Sequence, residues 1–257
     1  MVPLRVLLGH RSAVDDGQDV TPADVTRALR EKFPVSTSRP APAEFAAVYR
    51  ALLGSGFDHV VSVHLSAALS GTWESAALAA QDFAHGAVRV VDSRSTAMGL
   101  GYAVLAAASH AAAGETAAEV QGAATDVVDR TRTVFYVNTL EYLRRGGRIG
   151  AGAALLATSL SIKPLLQMVE GQIVPLEKVR TASRAMARLV ELTAQAAGSG
   201  PVDVAVHHLA AAERAASLAA DLRSAIPQLG DCRVAELGAV IGAHLGPGVL
   251  GTVLVRR

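Results

Sequence analysis

The first residues that could do chemistry are Ser70, Gly71 and Thr72, which follow a predicted buried strand over 59–63 and precede a predicted helix over 73–83. A strand-to-helix junction exposes free backbone N–H groups at the positive end of the helix dipole, where an anion binds well. The hydroxyls of Ser70 and Thr72 could therefore hydrogen-bond a carboxylate or a phosphate. The alternative is that Ser70 is only an N-cap, since serine caps are common.

Two further segments carry polar side chains in turn-rich surroundings. Thr37 and Ser38 begin a loop with two prolines, and their hydroxyls allow the same two interpretations as that of Ser70. His244 lies among three glycines and a proline, over residues 242–248. Glycines allow close backbone approach to a ligand or simply build a turn. We predict that His244 is a titratable donor in a loop, able to pair with an anion.

Basic side chains form two small groups in the sequence. Arg144, Arg145 and Arg148 frame a Gly-Gly pair, and Lys178 lies two residues before Arg180. Solvated surface charge is the preferred interpretation for Arg144 and Arg145. Arg148 and Arg180 are candidates to contact a phosphorylated species, because a guanidinium fork suits phosphate geometry.

Other chemistries have weaker support. A serine hydrolase or acyltransferase with Ser70 as nucleophile and His244 as base is kept as an alternative, although the sequence contains no Gly-x-Ser-x-Gly elbow. His207 and His208 are adjacent on a predicted strand, so their side chains point to opposite faces and cannot chelate one metal ion. We therefore predict no metal site. No complete dinucleotide or Walker fingerprint occurs, which argues against ATP binding by this chain.

Helical and extended patterns alternate along most of the chain, which is typical of an α/β protein. Predicted strands over 59–63, 88–91 and 133–137 each run into a polar turn. Such junctions indicate a parallel sheet with a ligand crevice at the carboxyl ends of its strands. Helices are predicted between and around these strands over 21–31, 43–53, 73–83, 97–112 and 116–130.

The pattern changes in the second half of the chain. A short apolar helix over 153–160, a hairpin over 162–176 and two amphipathic helices over 182–197 and 211–226 indicate an α+β arrangement. Further strands are predicted over 202–206, 233–237 and 252–255. We therefore predict an α/β domain over residues 1–158, built on a parallel sheet, and an α+β domain over residues 159–257.

Composition narrows the class of protein further. Of 257 residues 51% are hydrophobic, which excludes disorder, and 24 basic against 23 acidic residues leave a net charge of +1. A general nucleic-acid binder carries a larger positive excess. The uncharged run over 97–113 is mostly alanine, glycine and serine, so it predicts a buried helix and not a membrane span. One cysteine, Cys232, excludes an internal disulfide, and the first residues lack a signal-peptide pattern, so we expect a cytoplasmic protein.

Seven motifs in one order together resemble one known family. They are Thr37-Ser38-Arg39-Pro40-Ala41-Pro42, Leu69-Ser70-Gly71-Thr72-Trp73-Glu74-Ser75-Ala76, Asp92-Ser93 with Gly99-Leu100-Gly101, Leu140-Glu141-Tyr142-Leu143-Arg144-Arg145-Gly146-Gly147-Arg148-Ile149, Ile162-Lys163-Pro164-Leu165-Leu166, Lys178-Val179-Arg180-Thr181, and Ile241-Gly242-Ala243-His244-Leu245-Gly246-Pro247-Gly248. This set resembles the DegV family of bacterial fatty-acid-binding proteins, which serve as the lipid-carrying subunit of fatty acid kinase. The resemblance runs nearly end to end.

The resemblance implies a two-domain protein that holds one long-chain fatty acid in a tunnel between the domains, with its carboxylate near the mouth. By motif position, Thr37, Ser70 and His244 would bind that carboxylate. The supporting loop residues would be Ser38, Gly71 and Thr72. An apolar lining is expected where the two halves join, from Ile149, Leu155, Leu156, Leu160, Ile162, Leu165 and Leu166.

The resemblance also implies a division of labour. This chain would be a carrier without catalytic residues or cofactor, and a separate ATP-binding kinase subunit would convert the bound carboxyl group to an acyl phosphate. Arg148 and Arg180 would lie on the docking or phosphate side. Family members usually carry a strand before the segment that matches Val2-Pro3-Leu4, so we expect the family's first strand to be missing here. A degenerate lipid sensor is kept as a further alternative.

Overall fold

The computed structural model describes residues 1–15, 17–149 and 162–257. Their contacts define two compact units. The first unit comprises Met1–Leu4 and Ser38–Arg130, and the second comprises Arg5–Thr37 and Thr131–Arg257. The boundary predicted near residue 158 lies outside the described residues and stays a prediction.

Helices and strands alternate along the described residues as the sequence predicted. In chain order they are β1 (Arg5–Leu8), β2 (Arg11–Val14), α1 (Pro22–Arg30), β3 (Val35–Ser38), α2 (Pro42–Gly54), β4 (Val60–His64), α3 (Thr72–Ala80), β5 (Val88–Asp92), α4 (Met98–Ala112), α5 (Ala117–Arg130), β6 (Thr131–Tyr136), α6 (Glu141–Gly146), β7 (Lys163–Val169), β8 (Gln172–Val179), α7 (Ala182–Ala197), β9 (Val202–His208), α8 (Ala212–Ala225), β10 (Leu229–Glu236), α9 (Ala239–Leu245) and β11 (Leu250–Arg256).

The first unit is built on the parallel pair β4 and β5, with α3 as the crossover connection that two parallel strands require. Helices α2 and α3 pack together, as do α4 and α5, and all four contact the strand pair. Phe45 and Tyr49 of α2 pack with Val60 and with Ala76 and Ala79 of α3 in one buried cluster. This part of the chain thus has the α/β character that the sequence predicted.

The expectation that three successive strands share one parallel sheet is wrong for the third. Strand β6 pairs antiparallel with β11 and with β7, and these pairings belong to the second unit. The polar turn after β6 resembles the turns after β4 and β5 in sequence. Its pairing is instead set by a strand that lies more than a hundred positions further along the chain, which a local pattern cannot reveal.

The second unit centres on a six-stranded mixed sheet in the order β10-β9-β11-β6-β7-β8. Helices α7 and α8 pack against it and against each other, burying Leu189, Leu218 and Leu222 completely. The predicted hairpin is confirmed as β7 and β8, joined by Glu170 and Gly171 with φ angles of +46° and +76°. Two consecutive residues with positive φ form the tight turn that suits an antiparallel hairpin.

Residues 5–37 join the second unit through α1 and a small sheet of order β2-β1-β3. Helix α1 lies within the predicted range 21–31 and begins at a capping box, in which the amide of Asp24 donates to Thr21 Oγ1 at 3.2 Å and the amide of Thr21 donates to Asp24 Oδ2 at 3.1 Å. Its buried face packs against α9, and β1 contacts α9 as well. These contacts tie the N-terminal segment to a helix more than 200 positions later.

A buried hydroxyl pair offers a test of the second unit's core. Thr193 Oγ1 on α7 donates to the carbonyl of Leu189 at 2.7 Å and is 2.7 Å from Thr252 Oγ1 on β11. Thr193→Val would leave the buried Thr252 hydroxyl without this partner, so we expect the free energy of unfolding to fall by about 1–2 kcal/mol. The double variant T193V/T252V should recover much of the loss, because replacing both polar partners is nearly neutral. Urea denaturation measures both variants, and strictly additive losses would contradict this account.

Candidate functional site

The structure brings together two of the three residues predicted to bind a carboxylate. Thr37 Oγ1 on β3 and His244 Nε2 on α9 are 2.8 Å apart, and both side chains are half-buried. A neutral imidazole has one N–H and one bare nitrogen, so the tautomer decides which of the two groups donates. Either way, a hydroxyl and an imidazole that are 207 positions apart in sequence form one hydrogen-bonded pair.

His244 lies on the helix α9 and not in the predicted loop, so that expectation is wrong. The glycines around it favour a turn when the segment is considered alone. In the structure, however, the first N–H groups of the helix donate hydrogen bonds to a side chain from another segment. Asp15 accepts the amide of Ala239 at 3.2 Å and that of Val240 at 2.9 Å. The helix ends at Gly246, which has a φ of +75°; a Cβ there would lie 2.2 Å from the ring of Tyr142.

The environment of His244 keeps its ring neutral. Burial, and then the positive charges of Arg148 and Arg145, lower the pKa of His244 from its ordinary 6.5 to about 4. Low dielectric disfavours the charged form of an imidazole, and nearby guanidinium groups repel it. At pH 7 the ring is therefore a hydrogen-bonding group without a charge.

The end of α6 fixes the place of this ring. An ideal Cβ on Gly146 would lie 2.4 Å from His244 Nδ1, so the imidazole occupies the space that a side chain would need. The guanidinium of Arg148 donates to the carbonyl of Gly146. The guanidinium carbon of Arg145, an exposed residue as predicted, lies 5.4 Å from the ring centre of Tyr142. The Gly-Gly segment thus carries two guanidinium groups in the vicinity of the imidazole.

Two other predicted residues lie near the ends of strands. Ser38 is the exposed last residue of β3, and because neighbouring side chains on a strand point to opposite faces, it does not share the direction of Thr37. Arg180 is exposed between β8 and α7 in the second unit. An exposed guanidinium is available to a partner, whereas the contacts of Thr37 are internal.

Ser70, Gly71 and Thr72 lie in the first unit, where the hydroxyls of Ser70 and Thr72 form a local pair. Ser70 Oγ and Thr72 Oγ1 are 2.7 Å apart, and Thr72 is buried. The interpretation of Ser70 as an N-cap is wrong, because α3 begins at Thr72 and its N-cap is Gly71. The guanidinium of Arg39 donates to the carbonyl of Gly71 at 3.3 Å and to Glu74 Oε2 at 3.1 Å.

Sequence reasoning missed a buried hydrogen-bond chain in the first unit. Tyr49 donates its hydroxyl proton to Ser62 Oγ at 2.8 Å, and Ser62 Oγ is 2.8 Å from His64 Nε2. Burial lowers the pKa of His64 to about 4, although the charge of Asp92 raises it. The available signal was the spacing of Ser62 and His64, which puts two polar side chains on one face of an otherwise apolar strand.

The predicted apolar lining lies only partly within the described residues. Leu165 and Leu166 on β7 are completely buried, and Leu165 belongs to the main core of the second unit. Leu155, Leu156 and Leu160 lie outside the described residues, as does the predicted helix over 153–160. Among the residues that the structure describes, no cluster of side chains could hold a metal ion. Within the same residues, no helix has both the length and the hydropathy of a membrane span.

The fold and the site define a two-unit α/β protein with a half-buried, uncharged donor pair beside two arginines. The family model described as "Uncharacterised protein, DegV family" matches residues 1–257, and the chain belongs to the DegV family. The family resemblance found in the sequence is thereby confirmed.

Individual relatives agree with this assignment. A DegV domain-containing protein of Streptomyces coelicolor is 54% identical over 256 residues, covering 100% of this chain and 90% of its own. A solved structure of a DegV family protein from Thermus thermophilus, described as showing fatty acid binding, matches with a TM-score of 0.93 and 34% sequence identity. The match covers 100% of this chain and 91% of the Thermus thermophilus chain. DegV from Bacillus subtilis, described as a fatty acid binding protein, matches with a TM-score of 0.90 and 30% sequence identity. This match covers 100% of this chain and 91% of the Bacillus subtilis chain.

The contact between Gly146 and His244 can be tested by one methyl group. In Gly146→Ala the new Cβ would clash with His244 Nδ1 at 2.4 Å, so we expect the ring to move and the Thr37 hydrogen bond to break. A displaced ring is better hydrated, and its pKa should rise toward 6.5. NMR titration of the histidine ring measures this pKa. Gly122→Ala on α5, where a Cβ meets nothing within 4 Å, is the matched control; an unchanged His244 in G146A would refute the contact.

The lowered pKa of His244 also predicts how stability depends on pH. The native ring has a pKa of about 4 and the unfolded ring about 6.5, so between these values only the unfolded chain takes up the proton. Stability is therefore full above pH 6.5 and falls as the pH drops toward 4. His64 contributes with the same sign. Urea denaturation between pH 4.5 and 7 should show a shallower decline in H244Q, and an unaltered slope would contradict the assignment.

Proposed function

We propose that this chain binds a long-chain fatty acid and presents its carboxyl group to a separate ATP-dependent kinase subunit, which forms the acyl phosphate. The observation that carries the proposal is the 2.8 Å contact between Thr37 Oγ1 and His244 Nε2, a half-buried pair whose imidazole is neutral. Membership of the DegV family and the fatty acid binding of two solved relatives at 34% and 30% identity support the class of ligand.

The donor pair suits a carboxylate because the two groups can act in series. When the Thr37 hydroxyl donates its proton to a carboxylate oxygen, its own oxygen is free to accept the Nε2–H of His244. The ring then orients the hydroxyl and strengthens its donation, since linked hydrogen bonds polarise one another. A carboxylate that leaves water needs such donors, because an unpaired buried charge is costly.

The absence of a formal charge on the pair matters for the next step. An acyl phosphate forms when a carboxylate oxygen attacks the terminal phosphorus of ATP and the bond from that phosphorus to the bridging oxygen breaks, which releases ADP. The attacking oxygen must therefore keep its electron density. Hydrogen bonds from a hydroxyl hold the carboxylate without neutralising it, whereas an ion pair at the same place would lower its nucleophilicity. Arg145 and Arg148 act on His244 through their charge and add a positive potential that attracts the anion.

Ser70 remains a proposed third donor to the same carboxylate. Its hydroxyl is 2.7 Å from that of Thr72, so either oxygen can donate onward while it accepts from the other. A double-mutant cycle with S70A and H244A tests a shared ligand group. If both side chains serve one carboxylate, the losses in binding free energy should be non-additive; additive losses would assign Ser70 to another role.

Arg148 and Arg180 are proposed to lie on the surface that meets the kinase subunit or the phosphate. Arg180 is exposed and its guanidinium fork suits a phosphate or an acidic partner surface. Arg180→Ala should therefore slow acyl phosphate formation by the kinase subunit and leave fatty acid affinity unchanged. Equal loss of both properties would contradict a role restricted to the partner. Arg184→Ala, at the start of α7 nearby in sequence, is the control for a general loss of positive charge.

The alternatives receive less support from the contacts. In the proposed carrier no side chain is catalytic, and a hydrolase would need Ser70 to be activated by His244. The Ser70 hydroxyl instead bonds to Thr72, and the Nε2 of His244 bonds to Thr37. The carrier and the sensor are distinguished by whether an added kinase subunit and ATP convert the bound lipid to an acyl phosphate.

The ligand proposal is tested first by extraction of the protein purified from a bacterial host. Mass spectrometry should find a long-chain fatty acid in near-stoichiometric amount. Thr37→Val should weaken the binding of an added fatty acid about tenfold, because a charge-assisted hydrogen bond is lost. Displacement of a fluorescent fatty acid measures the affinity, with Thr125→Val on the exposed face of α5 as the matched control. Protein that is folded and binds no fatty acid would overturn the proposal.

A further inference from the structure

The helix that carries His244 is held at its start by a side chain from the N-terminal segment. Asp15, which follows β2, accepts the amide of Ala239 on Oδ1 at 3.2 Å and the amide of Val240 on Oδ2 at 2.9 Å. Asp15 and these amides are 224 and 225 positions apart in sequence. Both carboxylate oxygens are thus used on the first two residues of α9.

Helix α9 has no equivalent support of its own. It is only seven residues long, and its N-cap, Gly238, has no side chain that could accept an amide. A helix of two turns is unstable alone, and its first amides need acceptors. The fit at Gly238 is close, since a Cβ there would lie 3.3 Å from Asp15 Oδ2. The negative carboxylate also lies at the end of the helix where a negative charge is favourable.

The other end of α9 is held by the same N-terminal segment. His244 lies in the last turn, and its Nε2 is hydrogen-bonded to Thr37 Oγ1 on β3. Helix α1, which lies between β2 and β3 in sequence, packs along α9. Residues 5–37 therefore fix the start, the side and the functional side chain of α9, so a shift at the start is transmitted along a short rigid helix to the imidazole.

We propose that Asp15 is a positioning residue for His244: its two hydrogen bonds fix α9 so that the imidazole meets Thr37. This proposal rests on the proposed function for its effect on ligand affinity. It does not depend on that function for its effect on the ring of His244 in the ligand-free protein. Asp15 touches the helix backbone and acts on the ligand only through that helix.

The test compares Asp15→Ala and Asp15→Asn with a matched control in the same unit. Asp203 on β9 accepts the amide of Asp231 at 2.7 Å and pairs with Arg257, away from α9. Asp203→Asn therefore removes a similar carboxylate without touching the helix of His244. The first readout is the NMR titration of His244 in ligand-free protein, and the second is the affinity for a fluorescent fatty acid at a temperature where each variant is folded.

In D15A we expect an altered His244 titration and about fivefold weaker fatty acid binding. D15N keeps an oxygen that can accept one amide, so it should restore a large part of both properties. D203N should lower the melting temperature and leave both properties unchanged. If D15A titrates and binds like the parent protein, or alters both no more than D203N does at equal loss of stability, the proposal is wrong.

The two proposals fail in distinguishable ways. Folded parent protein that binds no fatty acid overturns the proposed function, while the His244 titration of D15A still decides the role of Asp15. If D15A does not fold, D15N carries the same test. A positioning role would be excluded if the backbone amides of Ala239 and Val240 exchange fast in D15N while His244 titrates as in the parent protein.

Discussion

The site depends on keeping a polar pair uncharged while it is half removed from water. A hydroxyl and an imidazole lose hydration on burial, and each recovers a partner in the other through the contact between Thr37 and His244. Burial favours the neutral ring, and the two neighbouring arginines act in the same direction. Under the proposed function, a carboxylate at this pair would be held by hydrogen bonds from neutral groups and not by a salt bridge to the ring.

The need to hold Thr37 against His244 explains why residues 5–37 belong to the same unit as residues 131–257. Thr37 must reach His244, and a strand end offers a more constant position than a free loop. The small sheet β2-β1-β3 and α1 support the end of β3, where Thr37 lies. Asp15 of the same segment accepts an amide at the start of α9, the helix that carries His244. Two residues of one donor pair are thus held by a continuous set of contacts, although they lie far apart in sequence.

Much of the fold follows from local sequence signals. The amphipathic spacing over 182–197 predicted α7 with its observed bounds, and the helix predicted over 21–31 is α1, which has Thr21 as its N-cap. In both cases the decisive contacts lie within one turn or one face of the same element. The hairpin β7–β8 was visible for the same reason, since a tight turn and two apolar strands are adjacent in sequence.

The elements that the sequence did not reveal are those fixed by distant partners. Strands β1, β2 and β3 have four residues each, which is too short for a clear alternation. Helix α9 has a glycine-rich sequence, and its first amides are capped from Asp15. The residues of the donor pair could be named from their motifs, but their contact could not, because it is made across 207 positions.

His64 and His244 both have a pKa lowered to about 4, but their charged neighbours differ in a way that bears on ligand chemistry. The charge of Asp92 raises the pKa of His64 against burial, whereas Arg148 and Arg145 lower that of His244 together with burial. A bound carboxylate would by itself raise the pKa of His244, as Asp92 does for His64. The arginines oppose this shift, so they favour the neutral ring beside the proposed ligand.

A neutral ring in turn determines where the protons lie. In the tautomer that donates Nε2–H to Thr37, the threonine proton is available to the proposed carboxylate ligand, which keeps its full negative charge. A protonated ring would pair with that charge and make the carboxylate oxygen a weaker nucleophile in the proposed phosphoryl transfer. The guanidinium groups of Arg145 and Arg148 therefore contribute to the proposed reaction without touching the carboxylate, because they keep the ring of His244 neutral.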